Sequence, residues 1–162
     1  MSCGDEYNMR QEKKAGLTDC LNYLATGVCV LSISDSVSLG KGIVLVRRQP
    51  LTICVAIDRN KVFREVLEKN ERFEVLILSY TQQELARSLL AEERGSKEKE
   101  VPLNLSRELL SNRELVAAFE CEKINCINVF DYTLITAEVL KGTVNSTKAP
   151  IVYYGDKLVG LD

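Results

Sequence analysis

The stretch that decides the fold runs from residue 22 to residue 61 and reads NYLATGVCVLSISDSVSLGKGIVLVRRQPLTICVAIDRNK. Three short runs inside it are dense in Val and Ile: GVCVLSIS at 27–34, GIVLV at 42–46 and LTICVAI at 51–57. Each is bounded by Gly, Ser, Asp or Pro, residues that end or turn an extended chain, so each reads as a β-strand. The intervening SVSLGKG (36–42) reads as a loop. Gly40 and Gly42 in it permit close backbone approach, and Lys41 supplies a point charge suited to a phosphate.

Working outward, residues 10–24 read as a helix, with Leu17, Leu21 and Leu24 forming an apolar stripe at helical spacing. Downstream, a helix is expected over 60–69, with Val62, Phe63 and Val66 facing inward and Arg64, Glu65, Glu68 and Lys69 facing water. RFEVLILS (72–79) returns to strand, and TQQELARSLLAEE (81–93) to helix. Ser79 or Thr81 can cap that helix, and Glu84, three residues beyond Thr81, completes a capping box. AEERGSKEKEVPLN (91–104) is charged and broken by Gly95 and Pro102, so it reads as an exposed excursion. LSRELLSNRELV (105–116) is short helix. AAFECEKINCINVF (117–130), YTLITAEVLKGT (132–143) and IVYYGDKLVGLD (151–162) close the chain as strands. Six or seven strands with helices inserted, rather than alternating, predict a mainly β chain folded as an antiparallel barrel.

The totals narrow the function. At 162 residues and 46% hydrophobic the chain is one domain, 1–162. With 21 basic and 23 acidic side chains the net charge of −2 gives no global field for nucleic acid or a membrane surface. No window approaches eighteen consecutive apolar residues, and MSCGDEYNMRQEKK carries no apolar leader region, so a cytoplasmic protein is expected. In that compartment the six cysteines are reduced thiols, and Cys29 and Cys54 are small hydrophobes within strands. Cys121 and Cys126, five apart on one strand, point to opposite faces, which is poor geometry for a shared metal, and no metal site is expected. There is no histidine. That excludes Ser-His and Cys-His dyads, His-ligated zinc or haem, and imidazole acid-base chemistry. Any redox or group-transfer chemistry must then come from a cofactor, or from carboxylates, Lys and Tyr.

Two cationic loops stand out as anion sites: SVSLGKG, and DRNK (58–61) at the start of a helix, where unpaired amides and a partial positive charge favour a phosphate. Neither is a Walker loop, because the GxxxxGK[ST] spacing is missing. The same residues also read more plainly, SVSLGKG as a turn and Asp58 or Asn60 as a helix cap. In RRQP (47–50), Arg47 and Arg48 point opposite ways on an extended chain, so one at most faces a pocket. Tyr153 and Tyr154 split between faces in the same manner, and Asp131 with Tyr132 lies at a turn.

Taken in order, these pieces resemble the flavin reductase family of FMN-binding split barrels, the reductase components of two-component monooxygenases, over residues 17 to 159. NYLATGVCVLSI is similar to the family's opening helix and Thr-Gly-Val strand. QPLTICVAIDRNKVFREVLEKNERFEVLILSYTQQELARSLL is similar to its proline-started strand, helix, Phe-x-Val-x-Leu strand and Gln-x-x-Leu-Ala helix. FDYTLITAEVL resembles its Gly-Asp-His-Thr segment, and APIVYYGDKLVGL its closing strand.

The resemblance implies a Greek-key split barrel that binds FMN, or FAD, at the interface of a homodimer. It further implies reduction by NAD(P)H or electron exchange with a redox protein partner. Carried over by position, the cofactor-binding residues are Lys41, Gly42, Ile43, Arg47, Arg59, Asn60, Lys61 and Tyr132. The chain departs from the pattern at several of them. Leu39 stands in the family's Thr position and Lys41 near its Asn. Leu45, Val46 and Arg47 replace a Ser-Val-Ser, and Tyr132 replaces the histidine. Two outcomes are open: the cations hold the phosphate in place of hydroxyls, or the chain is a dimeric scaffold that has lost flavin.

Overall fold

The computed structural model describes residues 16–58, 62–93, 114–145 and 147–161. In these, β1 (Thr26–Ile33), β2 (Ser36–Arg48), β3 (Leu51–Asp58), β4 (Arg72–Ile77), β5 (Ala117–Val129), β6 (Tyr132–Val144), β7 (Ile151–Tyr154) and β8 (Lys157–Gly160) form one antiparallel sheet ordered β2-β3-β6-β5-β4-β1-β7-β8. A further pairing of β1 with β2 closes six of them into a barrel. β3 lies beside β6, not β4, which is the crossover of a Greek key. Helices α1 (Leu17–Leu21), α2 (Val62–Lys69) and α3 (Gln83–Glu93) are inserted before β1, after β3 and after β4.

The near-continuous apolar run of β1 follows from burial on both faces. Cys29, Leu31 and Ile33 point into the barrel, where they meet Ile53, Val55, Ile57, Val75, Ile135 and the α2 residues Phe63 and Leu67. Val28 and Val30 point the other way, into a second core beneath α3 formed with Leu76, Leu78, Ala86, Leu89 and Ile151. Complete burial of each such aliphatic side chain contributes roughly 2 kcal/mol relative to exposure. These two cores are why one short strand carries so little polar character.

Several expectations change in the structure. SVSLGKG is not a loop. The chain reverses at Ser34 and Asp35, with Ser34 at a φ of 52°, and Ser36 pairs at once with Ile33, so residues 36–42 belong to β2. The closing run is two strands, joined at Gly155 and Asp156, and the total is eight among the described residues. The capping box is built one turn early. The Ser79 amide donates to Gln82 Oε1 at 3.1 Å across a single 3-10 turn, Tyr80–Gln82, while the Thr81 hydroxyl donates to Glu114 at 2.9 Å and Glu84 pairs with Arg87. A bulge between Lys123 and Asn125 reverses the alternation of β5, so Cys126, opposite Ile135, shares the inward face with Cys121 but stands exposed. No group of metal ligands occurs among the described residues. The first part of the helix expected over 10–24, most of the excursion 91–104 and residues 105–113 lie outside the described residues.

α2 is fastened from beneath by Lys123. Its ammonium, on a side chain 14% exposed, donates to Leu67 O at 2.9 Å, Asn70 O at 3.0 Å and Glu68 O at 3.4 Å, carbonyls in the last turn of the helix and just beyond it, where backbone acceptors run short of partners. A cation at the negative end of the helix adds to those bonds. Lys123→Met keeps the aliphatic stem but takes a donor from three carbonyls, of which Leu67 O retains the Asn70 amide at 3.3 Å. We expect a loss of about 2 kcal/mol in urea unfolding, with amide exchange accelerated in α2 before it is elsewhere.

Candidate functional site

The site begins where a ladder stops. β1 pairs with β2 from Ile33↔Ser36 to Val28↔Lys41, then its first residues turn to β7, through Thr26↔Tyr153 and Gly27↔Val152. Beyond Lys41, β2 keeps only β3 as a partner, and a bulge falls there, with Gly42 at a φ of 72°. Backbone N–H and C=O groups of residues 42–44 that face away from β3 thus open on to a seam. A buried backbone must find partners for such groups, so an exposed row of them is a place for a ligand with a polar edge.

The seam is a groove of about 450 Å³. Thr26, Gly27, Ile43, Val44, Val152 and Leu161 are among its walls, with Cys29 at its floor. A Cβ built on Gly27 or Gly42 meets nothing within 4 Å, so the volume reaches the main chain at both. Burial pushes the Cys29 thiol up to about 12, against the smaller opposing effect of its bond to Gly40 O at 3.4 Å. Cys29 is a neutral wall, not a nucleophile. The groove therefore offers apolar faces for a flat ring and main-chain groups for its polar edge.

Register places the residues named from the sequence. Lys41 pairs across with Ala56, and Ala56 with Leu134; two residues on, Asp58 pairs with Tyr132. The half-exposed Tyr132 therefore sits at the end from which the chain leaves β3 towards α2, Lys41 pairs two residues of β3 inward from it, and Gly42 and Ile43 lie level with the middle of β3. Arg59, Asn60 and Lys61 lie in that connection, outside the described residues. Arg47 is not brought to this end. It is five residues from Gly42, about 17 Å along the strand, and its Nε donates to Gln49 O at 2.8 Å. Tyr153, half-buried, donates to Asp156 at 2.9 Å, and Tyr154 packs edge-on against Tyr23.

A family model described as "Flavin reductase like domain" matches residues 42–162. The chain belongs to the flavin reductase like family. The match begins at Gly42, the residue that opens the seam. No curated protein matches the chain. Among solved structures, the flavin reductase component BorF of a bacterial two-component tryptophan halogenase superposes with a TM-score of 0.76 at 20% identity, covering 90% of this chain and 96% of that one. The styrene monooxygenase flavin reductase of Pseudomonas putida gives 0.73 at 19%, covering 91% and 98%. The NADH:FAD oxidoreductase of Streptomyces globisporus gives 0.74 at 18%, covering 90% and 91%. These likenesses identify the flavin reductase split barrel as this chain's fold.

Two features escaped the sequence. Thr26, Gly27, Val152 and Leu161 reach the groove only because β1 leaves β2 for β7, a long-range pairing with no local signal. The second feature is an uncovered outer face. Opposed residues in a ladder share a face, so Val44, Cys54, Ala56, Leu134, Ile127, Val129 and Tyr132 lie together outside the barrel across β2, β3, β6 and β5. Val44, Ile127, Val129 and Tyr132 are 60%, 53%, 39% and 51% exposed, and no described helix covers them. Strands apolar on both faces were the available clue, in LITAEVL as in GVCVLSI.

Proposed function

We propose that the protein is an FMN-binding flavin reductase or electron-transfer oxidoreductase that holds its cofactor non-covalently in the seam of a homodimer. The observation that carries this reading is the opened ladder at Gly42–Val44 within a flavin reductase like domain. The main-chain groups of these residues bind the polar edge of the ring; Ile43, Val44 and Val152 pack its faces; Gly27 and Gly42 admit it to the backbone. Lys41, Arg59, Asn60 and Lys61 hold the phosphate, with charge in place of hydroxyl donors. FAD is the alternative flavin. The flavin, when bound, would supply the two-electron redox chemistry that the chain's own carboxylates, Lys and Tyr do not. Tyr132, in place of the family's histidine, stands where NAD(P)H or a redox protein partner approaches. The uncovered face fits a homodimer, since an apolar patch of that extent marks a contact surface. No described helix is long and apolar enough to cross a membrane, and we place the protein in the cytoplasm.

The test is a titration of purified protein with FMN and with FAD. FMN fluorescence should be quenched with a dissociation constant in the low micromolar range, about −8 kcal/mol, and NADH or NADPH should bleach the complex without oxygen. Replacing Lys41 and Lys61 together by Ala should weaken binding about tenfold or more. A colourless protein that quenches neither flavin at tens of micromolar overturns the reading in favour of a non-enzymatic dimeric scaffold.

A further inference from the structure

We infer that Asp156 and Asn22 are positioning residues for the flavin groove: the hydrogen bond between them latches the start of β1 on to the β7–β8 hairpin and so holds the seam open. The inference rests on the flavin site proposed above. The ladder that holds the start of β1 on β7 is only two residue pairs long, Thr26↔Tyr153 and Gly27↔Val152. Continued by two residues, the β1–β2 register would set Gly27 against Gly42 and Thr26 against Ile43, and the seam would be shut. On the β2 side, the bulge at Gly42 turns the chain out of that register. On the β1 side, two pairs at a strand end make a weak hold, since such ends fray readily. The rest of the hold lies outside the ladder.

It is a cluster just upstream of β1. Asn22, half-buried, ends α1 and leads the chain towards Thr26. Its carbonyl accepts the Gly155 amide at 2.6 Å, and its Nδ2 donates to Asp156 Oδ2 at 3.0 Å. The other oxygen of that carboxylate accepts the Tyr153 hydroxyl at 2.9 Å, and Tyr153 is the residue paired with Thr26. The rings of Tyr23 and Tyr154 meet edge-on beside them, with centroids 6.1 Å apart. One carboxylate thus joins the approach to β1, the strand that β1 pairs with and the hairpin turn. Hydrogen bonds to a charged acceptor are stronger than neutral ones. Asp156 stands at a φ of 61° after Gly155 at 57°, the pattern of a type I′ turn. Glycine would serve that turn as well; the carboxylate serves the latch. Without it, the first residues of β1 fray from β7 and move against β2, into the space between Gly27 and Ile43 that the ring needs.

Asp156→Gly keeps the turn and removes the carboxylate, while Asn22→Ala removes the amide donor and keeps the carbonyl. In fluorescence titrations Asp156→Gly should raise the FMN dissociation constant about tenfold and Asn22→Ala about fivefold. The double variant should bind no more weakly than Asp156→Gly alone, because both changes break the same bond. Asp156→Asn, which tolerates the φ and keeps one acceptor oxygen, should recover part of the affinity. In flavin-free protein, amide exchange in Asp156→Gly should quicken at residues 26, 27 and 151–154 and stay unchanged in β3 and β6. Wild-type affinity in Asp156→Gly, effects that multiply in the double variant, or exchange quickened evenly through the barrel overturns the inference. If the wild-type protein takes up no flavin and the quickening is still confined to those residues, the flavin reading falls and the latch stands. Flavin uptake with wild-type affinity in every variant does the reverse.

Discussion

Gly40→Val is expected to lower the unfolding free energy by about 3 kcal/mol or more, a large share of the usual 5–15 kcal/mol. Gly40 is buried in β2 opposite Cys29, and a Cβ there would stand 2.7 Å from Cys29 Sγ, 3.2 Å from Leu31 Cδ1 and 3.4 Å from Val55. None of these can retreat cheaply. Cys29 is a short side chain on a strand held on both sides by ladders, and its thiol donates to the carbonyl of Gly40 itself. Leu31 and Val55 are fully enclosed in the barrel core. Two methyl groups added in that space must displace β1 from β2, and the ladder between them is the closure of the barrel. Gly40→Ala meets the same sulfur with one carbon and should cost less, about 1–2 kcal/mol. Urea unfolding followed by circular dichroism separates the two. A valine variant within 1 kcal/mol of wild type would show that β1 and β2 are not packed in this register.

The same glycine shows how far the sequence could be read. Its neighbourhood, SVSLGKG, has the composition of a turn, and turn composition was the reason to expect a loop. What the composition hides is that Ser36 and Ser38 pair with β1 residues, Ser38 in a buried place, and that Gly40 is small because Cys29 lies against it. A glycine needed for packing and one needed for φ look alike in sequence. Strands β1, β3, β4, β5 and β6 were legible because Val, Ile and Phe recur in them with clear turn signals at their ends. The division of IVYYGDKLVGLD into β7 and β8 was within reach of its Gly-Asp pair. The seam was not legible, since it depends on Thr26 and Gly27 finding Tyr153 and Val152 more than a hundred residues away. Of the proposed flavin residues, Gly42 and Ile43 line the groove, and Arg47 turns to Gln49. The ordinary preference of an arginine for a nearby carbonyl was no less available in RRQP than its preference for a phosphate.

Gly42→Val should then do the opposite of Gly40→Val: it should spare most of the fold and remove flavin binding. At a φ of 72° Gly42 holds a backbone conformation that a β-branched residue adopts only with strain, on the order of 1–2 kcal/mol. Nothing lies within 4 Å of its absent Cβ, so no core contact is lost or crushed. The added isopropyl group would project from the bulge into the seam, across the main-chain groups of residues 42–44 that the ring edge needs. A substitution that both fills an apolar slot and blocks its polar anchors should raise the FMN dissociation constant at least a hundredfold, about 3 kcal/mol of binding, while the melting temperature falls by only several degrees. Gly42→Asn, which tolerates left-handed φ, separates strain from obstruction: its stability should recover while its flavin affinity stays low. If Gly42→Val binds FMN as tightly as wild type, the ring lies somewhere other than the seam between β1 and β2.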